Sequence, residues 1–548
     1  MIALSYIHNL GVMLDPQLNF SLQADLAVSK VKRAAAKVAL LYDGREGIPL
    51  QTGINLYKTL IRPHLEYAVP VWAAMSDKDQ LKLEKAQVQC LKAIIGAKAH
   101  SSSPAVEVIA GIMPVKIRIR ELCGREFLRI MAKDDSHILR CLMDQSTRVG
   151  LRFCPMEYIR VMSKQLARAM NGCSLEKELR RPVEGKNSIG NITKVEIVSR
   201  DGSSQSRTTS EIEKDRLAVK AFVDLHQGNS VFVFTDGSVY GGPVGCGACA
   251  AVINPLDNAE PQITAAEAVG TKVDSTTCEL YGIILGLRTA LQYCGSNTNS
   301  NFPERLFVLC DSLEAVNFVI EGSEYWRKPE WLKKLMALQE ELLVINVSVH
   351  LAWIPGHSGI CANETADQLA KQTAQDIVRG RITAPSHISI QSALHLSSEI
   401  AFNSWQQKWE RDSSGFYTRL LLPQVRTKVT FPNNRDTGVS YCRMLLNDTL
   451  LNEDSFRNGL RESPVCDCDE ERETVSHFLL RCPYYEDIRT KLQNVVDDIW
   501  TSAKRKGHLQ LSDSLLLAPT QTDSITKRMD KDIKSAFFQF IRSANRKI

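Results

Sequence analysis

Hydrophobic and polar positions follow a helical spacing through the first third of this 548-residue chain. Apolar residues recur at this spacing in Leu26–Tyr42, again up to Pro63, and across Leu81–Ile95, with charged residues between them. Such spacing is typical of amphipathic helices. Weaker patterns of the same kind continue to about Arg180. This part of the chain is therefore predicted to be mainly helical.

From Val231 to Lys371 the pattern changes to short apolar runs separated by helical segments. Runs of this kind predict five strands, which are Val231–Thr235, Gly245–Ile253, Ala265–Val273, Leu306–Cys310 and Ile345–Trp353. Helical spacing begins at Glu279, Leu313, Trp331 and Glu364. The order of these elements predicts a multidomain α/β protein with a central mixed sheet of five strands and surrounding helices.

Changes in composition suggest where domains begin and end. Residues 181–228 are rich in Gly, Ser, Thr, Lys and Glu and have no sustained period, which indicates a linker, with disorder as one option. Residues 377–400 contain a second, short polar connection. The predicted division is a helical region over 1–180, an α/β domain over 229–376 and a mainly helical region over 401–548, joined by these two linkers.

Overall composition narrows the class of protein. The hydrophobic fraction of 44% and the charged fraction of 24% are those of a soluble globular protein. No apolar run is long enough to cross a bilayer, and the N-terminus lacks the pattern of a secretory signal. We therefore expect an intracellular protein, nuclear or cytoplasmic, with no membrane partner. The fifteen scattered cysteines favour core thiols over a disulfide framework, and a net charge of +5 permits a polyanionic partner without demanding one.

Four acids and a histidine in the α/β stretch are candidate catalytic residues: Asp236, Glu279, Asp311, Asp367 and His357. Each acid also has a local explanation. Asp236-Gly237 is compatible with a turn, Thr276 and Glu279 with a capping box, Asp311 with a helix cap, and Asp367 with an exposed helix position.

Taken together, the acids favour a different interpretation. Two follow apolar strands at the edge where open α/β sheets place their sites, and two lie in the predicted first turns of helices. Carboxylates gathered in one cleft repel one another unless a cation neutralises them. Oxygen ligands favour Mg²⁺ or Mn²⁺, and two ions roughly 4 Å apart can assist the cleavage of a phosphodiester. The pattern therefore predicts metal-assisted phosphodiester hydrolysis.

The same stretch resembles type 1 ribonuclease H along its full length. The matching pieces are Thr235-Asp236-Gly237-Ser238, Cys278-Glu279-Leu280-Tyr281, Cys310-Asp311-Ser312, Gly356-His357-Ser358-Gly359 and Asn363-Glu364-Thr365-Ala366-Asp367. The resemblance implies that Asp236, Glu279, Asp311 and Asp367 bind two Mg²⁺ ions, which Mn²⁺ can replace. It also implies that His357 helps the product to leave or shuttles a proton. The expected partner is an RNA–DNA hybrid whose RNA strand is cut.

Selectivity for a hybrid requires contacts with 2′-hydroxyl groups in a wide minor groove. The backbone beside Gly237 and Ser238 and the side chain of Thr277 are the candidate contacts. The extra basic helix that some members of the family use to hold substrate is not evident around Trp326–Lys334. Substrate affinity is therefore expected to depend on the flanking regions.

The N-terminal region is similar to the end of the palm and the helical thumb of reverse transcriptases from non-LTR retrotransposons of the jockey type. The likeness rests on Leu10-Gly11-Val12-Met13-Leu14-Asp15, on Leu56–Ala68 with Trp72, and on Leu83-Glu84-Lys85-Ala86-Gln87. The polymerase site of that family needs adjacent aspartates on a strand-turn-strand. The two Asp-Asp pairs, Asp134-Asp135 and Asp497-Asp498, lack that context, so polymerase activity is not predicted.

A second metal-binding pattern lies near the C-terminus. Cys466, Cys468, His477 and Cys482 follow the order C-x-C, eight residues, H, four residues, C. Thiolates and an imidazole at such spacing suit a tetrahedral Zn²⁺, although one residue between the first two cysteines is tight and chance is a competing explanation. Glu473–Pro483 resembles the zinc-binding-like tail of the same retrotransposon polyproteins, which implies nucleic-acid binding.

The prediction is an endonuclease that hydrolyses the RNA strand of RNA–DNA hybrids by a two-metal-ion mechanism, in a retrotransposon-derived chain without a polymerase site. The alternative is a catalytically silent nucleic-acid-binding remnant that uses the helical and zinc-binding-like regions. A third hypothesis is a ribonuclease-H-like nuclease that acts on another substrate, such as duplex DNA.

Overall fold

The structure is a computed structural model that describes residues 6–42, 47–133, 137–145, 155–170, 173–175, 192–198, 209–242, 244–254, 262–296, 303–321, 330–385, 387–388, 390–505, 507–519 and 525–548. The strands are β1 (Ile7–Asn9), β2 (Val12–Leu14), β3 (Ser174–Leu175), β4 (Thr193–Val195), β5 (Ser230–Tyr240), β6 (Gly245–Asn254), β7 (Ile263–Val273), β8 (Arg305–Cys310), β9 (Ser348–Trp353) and β10 (His387–Ile388).

The helices up to the end of the sheet region are α1 (Ser21–Ala39), α2 (Leu50–Leu56), α3 (Pro63–Glu66), α4 (Val69–Trp72), α5 (Asp77–Ile95), α6 (Ser103–Ala110), α7 (Val115–Met131), α8 (Ile138–Gln145), α9 (Pro155–Met162), α10 (Lys164–Met170), α11 (Thr209–His226), α12 (Ser275–Ser296), α13 (Leu313–Glu321), α14 (Glu330–Val344) and α15 (Cys361–Val378). The later helices are α16 (Ile390–Arg411), α17 (Phe416–Leu421), α18 (Arg435–Leu446), α19 (Asn452–Arg457), α20 (Glu486–Ser502), α21 (Asp513–Leu517) and α22 (Lys527–Ala544). Short π-helical segments cover Tyr57–Ile61 and His477–Arg481. No helix among the described residues has the length and apolarity needed to cross a bilayer.

The chain forms two compact units, and the first brings together segments that are distant in sequence. One contains residues 1–123, 151–158 and 399–548, and the other contains residues 124–150 and 159–398. In the first unit, Lys98 Nζ donates to the Thr449 carbonyl over 2.6 Å, and Arg443 Nε donates to the Gly96 carbonyl over 2.9 Å. Residues 1–123 and 399–548, which come from two regions predicted as separate, thus share one unit, because amphipathic helices from both segments bury their apolar faces against one another. Residues 124–150 and 159–180 of the predicted N-terminal region belong to the other unit.

The central sheet of the second unit has the order β4-β9-β8-β5-β6-β7. The pairs β4–β9, β9–β8 and β8–β5 are parallel, whereas β5–β6 and β6–β7 are antiparallel. The predicted mixed sheet is present, but its described part has six strands rather than five. The additional strand, β4, is only three residues long, and it is held by its pairing with β9, so no alternation in its own sequence reveals it.

Helices cover both faces of this sheet because successive strand residues point to opposite sides. On one face, Val231 and Val233 pack with α12 and α14. On the other, Phe232 and Phe234 join Val219 of α11 and the start of α15. The predicted linker 181–228 therefore contains β4 and a packed helix in its described residues, since Val219 is 1% exposed.

The second predicted linker, 377–400, is also mostly ordered secondary structure. It contains β10, which pairs in parallel with β3, and the first half of α16. Ile388 and Ala393 are fully buried. The polar composition of this segment reflects its outer face, and its few apolar residues supply enough burial to fix it.

The structure also bears on the two Asp-Asp pairs. Asp497 and Asp498 lie within α20, not on a strand-turn-strand. Asp134 and Asp135 are outside the described residues, as is most of the segment around Trp326; residues 330–334 begin α14.

Candidate active site and a second metal-binding cluster

Asp236 lies where β5 leaves its parallel neighbour. The last parallel pair is Thr235 with Cys310 of β8, whereas Asp236 pairs with Ala250 of the antiparallel strand β6. The strand continues to Tyr240, so the interpretation of Asp236-Gly237 as a turn is wrong. Ser238 shares the face of Asp236, because side chains alternate along a strand.

Glu279 is carried into the site by α12, which begins four residues earlier than predicted. The helix is capped by Asp274, whose carboxylate accepts hydrogen bonds from the Thr277 backbone N–H (2.9 Å) and hydroxyl (3.0 Å). The interpretation of Thr276 and Glu279 as a capping box is therefore wrong, and Glu279 lies in the second turn of α12. Thr277, predicted as a substrate contact, is 4% exposed and its hydroxyl is used within the protein.

Gly237 allows α12 to approach β5 closely. A Cβ at this position would lie 2.3 Å from the Glu279 backbone nitrogen and 2.4 Å from the Cys278 carbonyl carbon, distances that no side chain tolerates. This close approach places one carboxylate oxygen each of Asp236, Glu279 and Asp311 within 4.8 Å of one another. Gly237 thus has a packing role that brings two of the predicted catalytic acids together.

Asp311 immediately follows β8 at the same edge of the sheet. Ser312, not Asp311, caps the next helix, because its hydroxyl accepts from the Ala315 N–H over 3.3 Å. The helix-cap interpretation of Asp311 is therefore wrong. Its carboxylate instead accepts a hydrogen bond from Asn363 Nδ2 over 3.3 Å, and its carbonyl accepts one from Trp353 Nε1 over 2.9 Å.

A second group of ligand atoms lies on the loop after β9 and on α15. One ligand atom each of His357, Glu364 and Asp367 lies within 4.8 Å of the others. His357 is exposed and adopts a left-handed backbone conformation with φ of 51°. Glu364 Oε1 accepts from the Gly359 N–H over 3.4 Å, which ties the loop to the helix. Lys371 Nζ donates to Asp367 Oδ2 over 2.7 Å.

Three residues of this region were not predicted as site residues: Asn363, Glu364 and Lys371. Glu364 and Asp367 are three residues apart, so they share one face of α15, and that spacing was the available signal for Glu364. The contacts of Asn363 and Lys371 depend on the folded arrangement and had no comparable signal.

Burial and mutual repulsion disfavour the charged forms of the clustered acids. Burial, and then the charges of Asp311 and Asp367, raise the pKa of Asp236 to about 8. The pKa of Glu279 is also raised, first by burial and then by the charges of Asp236 and Asp311. Burial raises the pKa of Asp311 despite the hydrogen bond from Asn363. These carboxylates therefore require positive charge to be ionised together.

The donor set fits oxygen-ligated divalent cations. Oδ2 of Asp236 is buried and has no hydrogen-bond partner among the described residues. A buried carboxylate oxygen without a partner is costly unless a cation occupies the adjacent space. Carboxylate oxygens at this spacing suit Mg²⁺ or Mn²⁺.

The helical unit brings together the predicted zinc ligands Cys466, Cys468, His477 and Cys482, with one ligand atom of each within 4.8 Å of the others. Sγ of Cys466 lies 3.7 Å from Sγ of Cys482, and Sγ of Cys468 lies 3.4 Å from Nε2 of His477. Two sulfurs at about 2.3 Å from a tetrahedral ion would be about 3.8 Å apart. The distances therefore fit a tetrahedral zinc site.

The carboxylate of Glu471 orients the histidine of this cluster. Nδ1 of His477 lies 2.8 Å from Glu471 Oε1, which also accepts a hydrogen bond from Arg481 Nε over 2.7 Å. His477 is fully buried, so this contact fixes a proton on Nδ1 and leaves Nε2 as the free ligand atom. Glu471 was not predicted from the sequence.

The sequence of the sheet unit is similar to the sequences of known proteins. Residues 228–375 match the family model described as RNase H. A ribonuclease H from Campylobacter concisus is 31% identical to the chain over 150 residues, which are 27% of the chain and 94% of that protein. The chain therefore belongs to the ribonuclease H family through its central α/β region, and this region has a ribonuclease-H-like fold.

A second kind of relative comes from mobile elements. The chain is 31% identical over 97 residues to a Pol polyprotein of the type-1 retrotransposable element R1 from Bradysia coprophila. The match covers 17% of the chain and 9% of that polyprotein.

A solved N-terminal RNase H domain from Mycobacterium tuberculosis matches at 22% identity with a TM-score of 0.22, over 28% of this chain and 99% of that one. The family model and the sequence relatives confirm the predicted likeness to retrotransposon polyproteins and ribonuclease H.

Proposed function

We propose that this chain hydrolyses the RNA strand of RNA–DNA hybrids and that two divalent metal ions assist the reaction. The observation that carries the proposal is the set of four carboxylates at one edge of the sheet. Three of them, Asp236, Glu279 and Asp311, have ligand oxygens within 4.8 Å of one another, and Asp367 lies in the adjoining group with His357. So dense a set of acids is stable in its charged form only beside cations.

The four carboxylates would hold the ions, which are Mg²⁺ or, as a replacement, Mn²⁺. When bound, the two ions supply the positive charge that activates a water and stabilises the leaving oxygen of the phosphodiester. Asn363 positions Asp311 through its side-chain amide. Lys371 lies beside Asp367 and offsets part of its negative charge.

His357 has a separate role at the mouth of the site. Its side chain is exposed on a glycine-flanked loop, next to Glu364 and Asp367. A positioned imidazole can pass a proton to the departing strand or take one from it. Ligand atoms of Glu364 and Asp367 lie within 4.8 Å of the imidazole.

Recognition of the hybrid would use the strand that carries Asp236. The backbone at Gly237 and the hydroxyl of Ser238 follow the catalytic acid along β5, on the path toward solvent at Tyr240. Hydroxyl and backbone groups of this kind can contact the 2′-hydroxyls that distinguish an RNA strand from DNA. Thr277 is not retained as a substrate contact, because its hydroxyl donates to Asp274.

The Cys466–Cys482 cluster would hold one Zn²⁺ in a structural role. All four ligand positions are supplied by the protein, which is the arrangement of structural rather than catalytic zinc. By joining the chain around Cys466 to the segment that carries His477, the ion would stabilise the C-terminal part of the helical unit. Lys and Arg side chains on that unit would then contact nucleic-acid phosphates.

The deciding experiment compares RNA–DNA, RNA–RNA and DNA–DNA duplexes of one sequence with the full chain, in Mg²⁺ and in Mn²⁺. We expect cleavage of the RNA strand in the hybrid alone, and no cleavage by Asp236→Asn. Absence of cleavage with either ion would overturn the proposal. If the chain and Asp236→Asn then bind the hybrid equally, the silent nucleic-acid-binding alternative is favoured; cleavage of duplex DNA would favour a nuclease of different specificity.

A further inference from the structure

The helical unit contains a cavity of about 530 Å³ that no part of the proposed hydrolytic reaction uses. Its volume falls within the ~300–1,000 Å³ typical of ligand sites. Its inner wall is apolar and includes Ile54, Ile109 and Trp405, which are between 1% and 3% exposed. These residues come from α2, α6 and α16, so the wall belongs to the packed core of the unit and is held in place.

The rim of the cavity is basic. The side chains of Lys58 and Lys428 line the cavity and are exposed, and neither forms an ion pair with a carboxylate in the described part of the chain. Partial burial lowers the pKa of Lys58, and the charges of Arg62 and then Lys428 lower it further. The ammonium groups of Lys58 and Lys428 are therefore close enough to repel each other. Two neighbouring cations without a counter-charge favour an anionic ligand.

The rim of the cavity also contains the flat guanidinium group of Arg426. The guanidinium of Arg426 lies over the ring of Phe402, 4.3 Å from its centroid, and Arg426 Nη2 donates to Glu399 Oε1 over 2.6 Å. The pairing neutralises Glu399, so it does not offset the charges of Lys58 and Lys428. It also fixes the guanidinium as a plane beside the apolar wall, the type of surface on which unstacked bases lie.

We propose that this cavity binds a nucleotide of a single-stranded RNA or DNA. The base enters the apolar part beside Arg426 and Phe402, and the flanking phosphates contact Lys58 and Lys428. A paired duplex cannot place a base in a concave site without unstacking that base, so a single strand is favoured. An acidic peptide would meet the same charges, but it offers a flat group only where an aromatic side chain lies beside its carboxylates, whereas every nucleotide joins a flat base to a phosphate.

The test uses the full chain with Asp236→Asn, so that cleavage does not interfere, and fluorescently labelled 12-nucleotide oligo(U), oligo(dT) and a blunt DNA duplex. The double variant Lys58→Gln/Lys428→Gln removes the rim charges. Lys78→Gln/Lys527→Gln is its control, because both lysines are exposed in the same unit and lie outside the cavity lining. Ala110→Phe fills the cavity from its wall, and thermal unfolding of each variant verifies that it is folded.

We expect the rim variant to bind the single strands about fivefold more weakly or worse. The slope of the logarithm of the binding constant against the logarithm of the salt concentration should become about 1.4 less steep. Each phosphate contact with a single strand contributes about 0.7 to this slope. Ala110→Phe should weaken single-strand binding and leave duplex binding unchanged. Uridine monophosphate should displace oligo(U) from the chain with Ala110 but not from Ala110→Phe. That result would also support a nucleotide site and would show that a free nucleotide can occupy it.

Two results would overturn the inference. One is equal single-strand affinity of the rim variant and its lysine control. The other is an equal loss of duplex and single-strand binding in Ala110→Phe, which would indicate a general electrostatic surface rather than a site for an unstacked base. Neither result depends on whether the proposed ribonuclease reaction occurs, because the catalytic acid is already replaced.

Discussion

Asn363 Nδ2 donates a hydrogen bond to Asp311 Oδ2 over 3.3 Å, and joins the helix α15 to the acid that follows β8. Asn363 is 2% exposed, so the contact is shielded from solvent. The amide thus orients one carboxylate of the cluster. It is a positioning contact that the catalytic acids alone would not reveal.

Replacing the Asn363 amide should weaken metal binding more than it lowers the cleavage rate at saturating Mg²⁺. We expect Asn363→Ala to raise the Mg²⁺ concentration needed for half-maximal cleavage by about 10- to 100-fold, as for other residues that orient metal ligands. The measurement is cleavage of a hybrid against Mg²⁺ concentration. Gln368→Ala, an exposed position on the same helix, is the control; an equal effect of both variants would contradict the positioning role.

Asp236→Asn should abolish activity and at the same time stabilise the metal-free protein. Loss of a metal ligand removes several kcal/mol of transition-state stabilisation, a reduction of about 10²-fold or more. Because the pKa of Asp236 is raised to about 8, its ionisation costs stability progressively as the pH rises from the ordinary aspartate range toward 8. The asparagine removes that cost.

Thermal unfolding without divalent ions, compared between pH 5 and pH 8, measures this second effect. The free energy of unfolding of the variant should exceed that of the unmodified chain most at pH 8, by on the order of 1 kcal/mol or more. Addition of Mg²⁺ should stabilise the unmodified chain and have a smaller effect on the variant. A variant less stable than the unmodified chain at pH 8 would rule out repulsion within the acid cluster.

The helix α11 should be required for the stability of the sheet. Phe222 packs edge-on against Phe307 with 5.1 Å between ring centroids, and against Phe232 at 6.4 Å. We expect Phe222→Ala to lower the free energy of unfolding of this unit by roughly 3 kcal/mol. Leu225→Ala, at a position 79% exposed on the same helix, should change it by less than about 0.5 kcal/mol.

Hydrogen exchange in β5 and β8 measures this difference within the unit that contains them. Equal protection in the two variants would show that residues before 228 are a connection only. That outcome would restore the linker interpretation of this segment.

Glu471→Gln should weaken zinc binding without removing a ligand. The carboxylate holds Nδ1 of His477, and loss of such a contact costs about 10- to 100-fold in metal affinity. The measurement is competition with a chromogenic chelator, and Glu470→Gln supplies the matched control at an exposed neighbouring position. If purified chain contains no zinc and binds none, the cluster is only a group of core thiols.

The stability of the helical unit should depend on pH through Glu107. This side chain is buried, accepts a hydrogen bond from Gln87 Nε2 over 2.9 Å, and has its pKa raised by burial from 4.5 to about 8. A raised pKa in the folded state means that stability is greatest below about 4.5 and falls as the pH rises to about 8.

Glu107→Gln should remove this decline, which amounts to a few kcal/mol at most. Hydrogen exchange in α5 and α6 between pH 5 and pH 8.5 reports on the relevant part of the unit. Glu410→Gln, at an exposed position of the same unit, should retain the pH dependence. An unchanged decline in Glu107→Gln would assign it to other groups.

Much of the central region could be predicted from the sequence because its signals are local. The apolar runs that became β5, β6, β7, β8 and β9 are strong enough to place five of the six strands, and Asp311 follows its strand as expected. The sequence motifs around Asp236, Glu279 and Asp311 are typical of the ribonuclease H family. The local interpretations of Asp236, Glu279 and Asp311 were wrong, because the folded chain determines which neighbour forms a cap or a turn.

Only the tertiary structure decided which distant residues act together. Asp236 meets Glu279 because a glycine at 237 admits the helix, a fact about distance that no spacing in the sequence encodes. The same holds for the amide of Asn363 beside Asp311 and for Glu471 beside His477. The strand β4 and the pairing of both chain ends in one unit are likewise fixed by long-range burial and hydrogen bonding. The sequence determined which chemical groups are present and which local elements carry them, and packing decided which of these groups come within bonding distance.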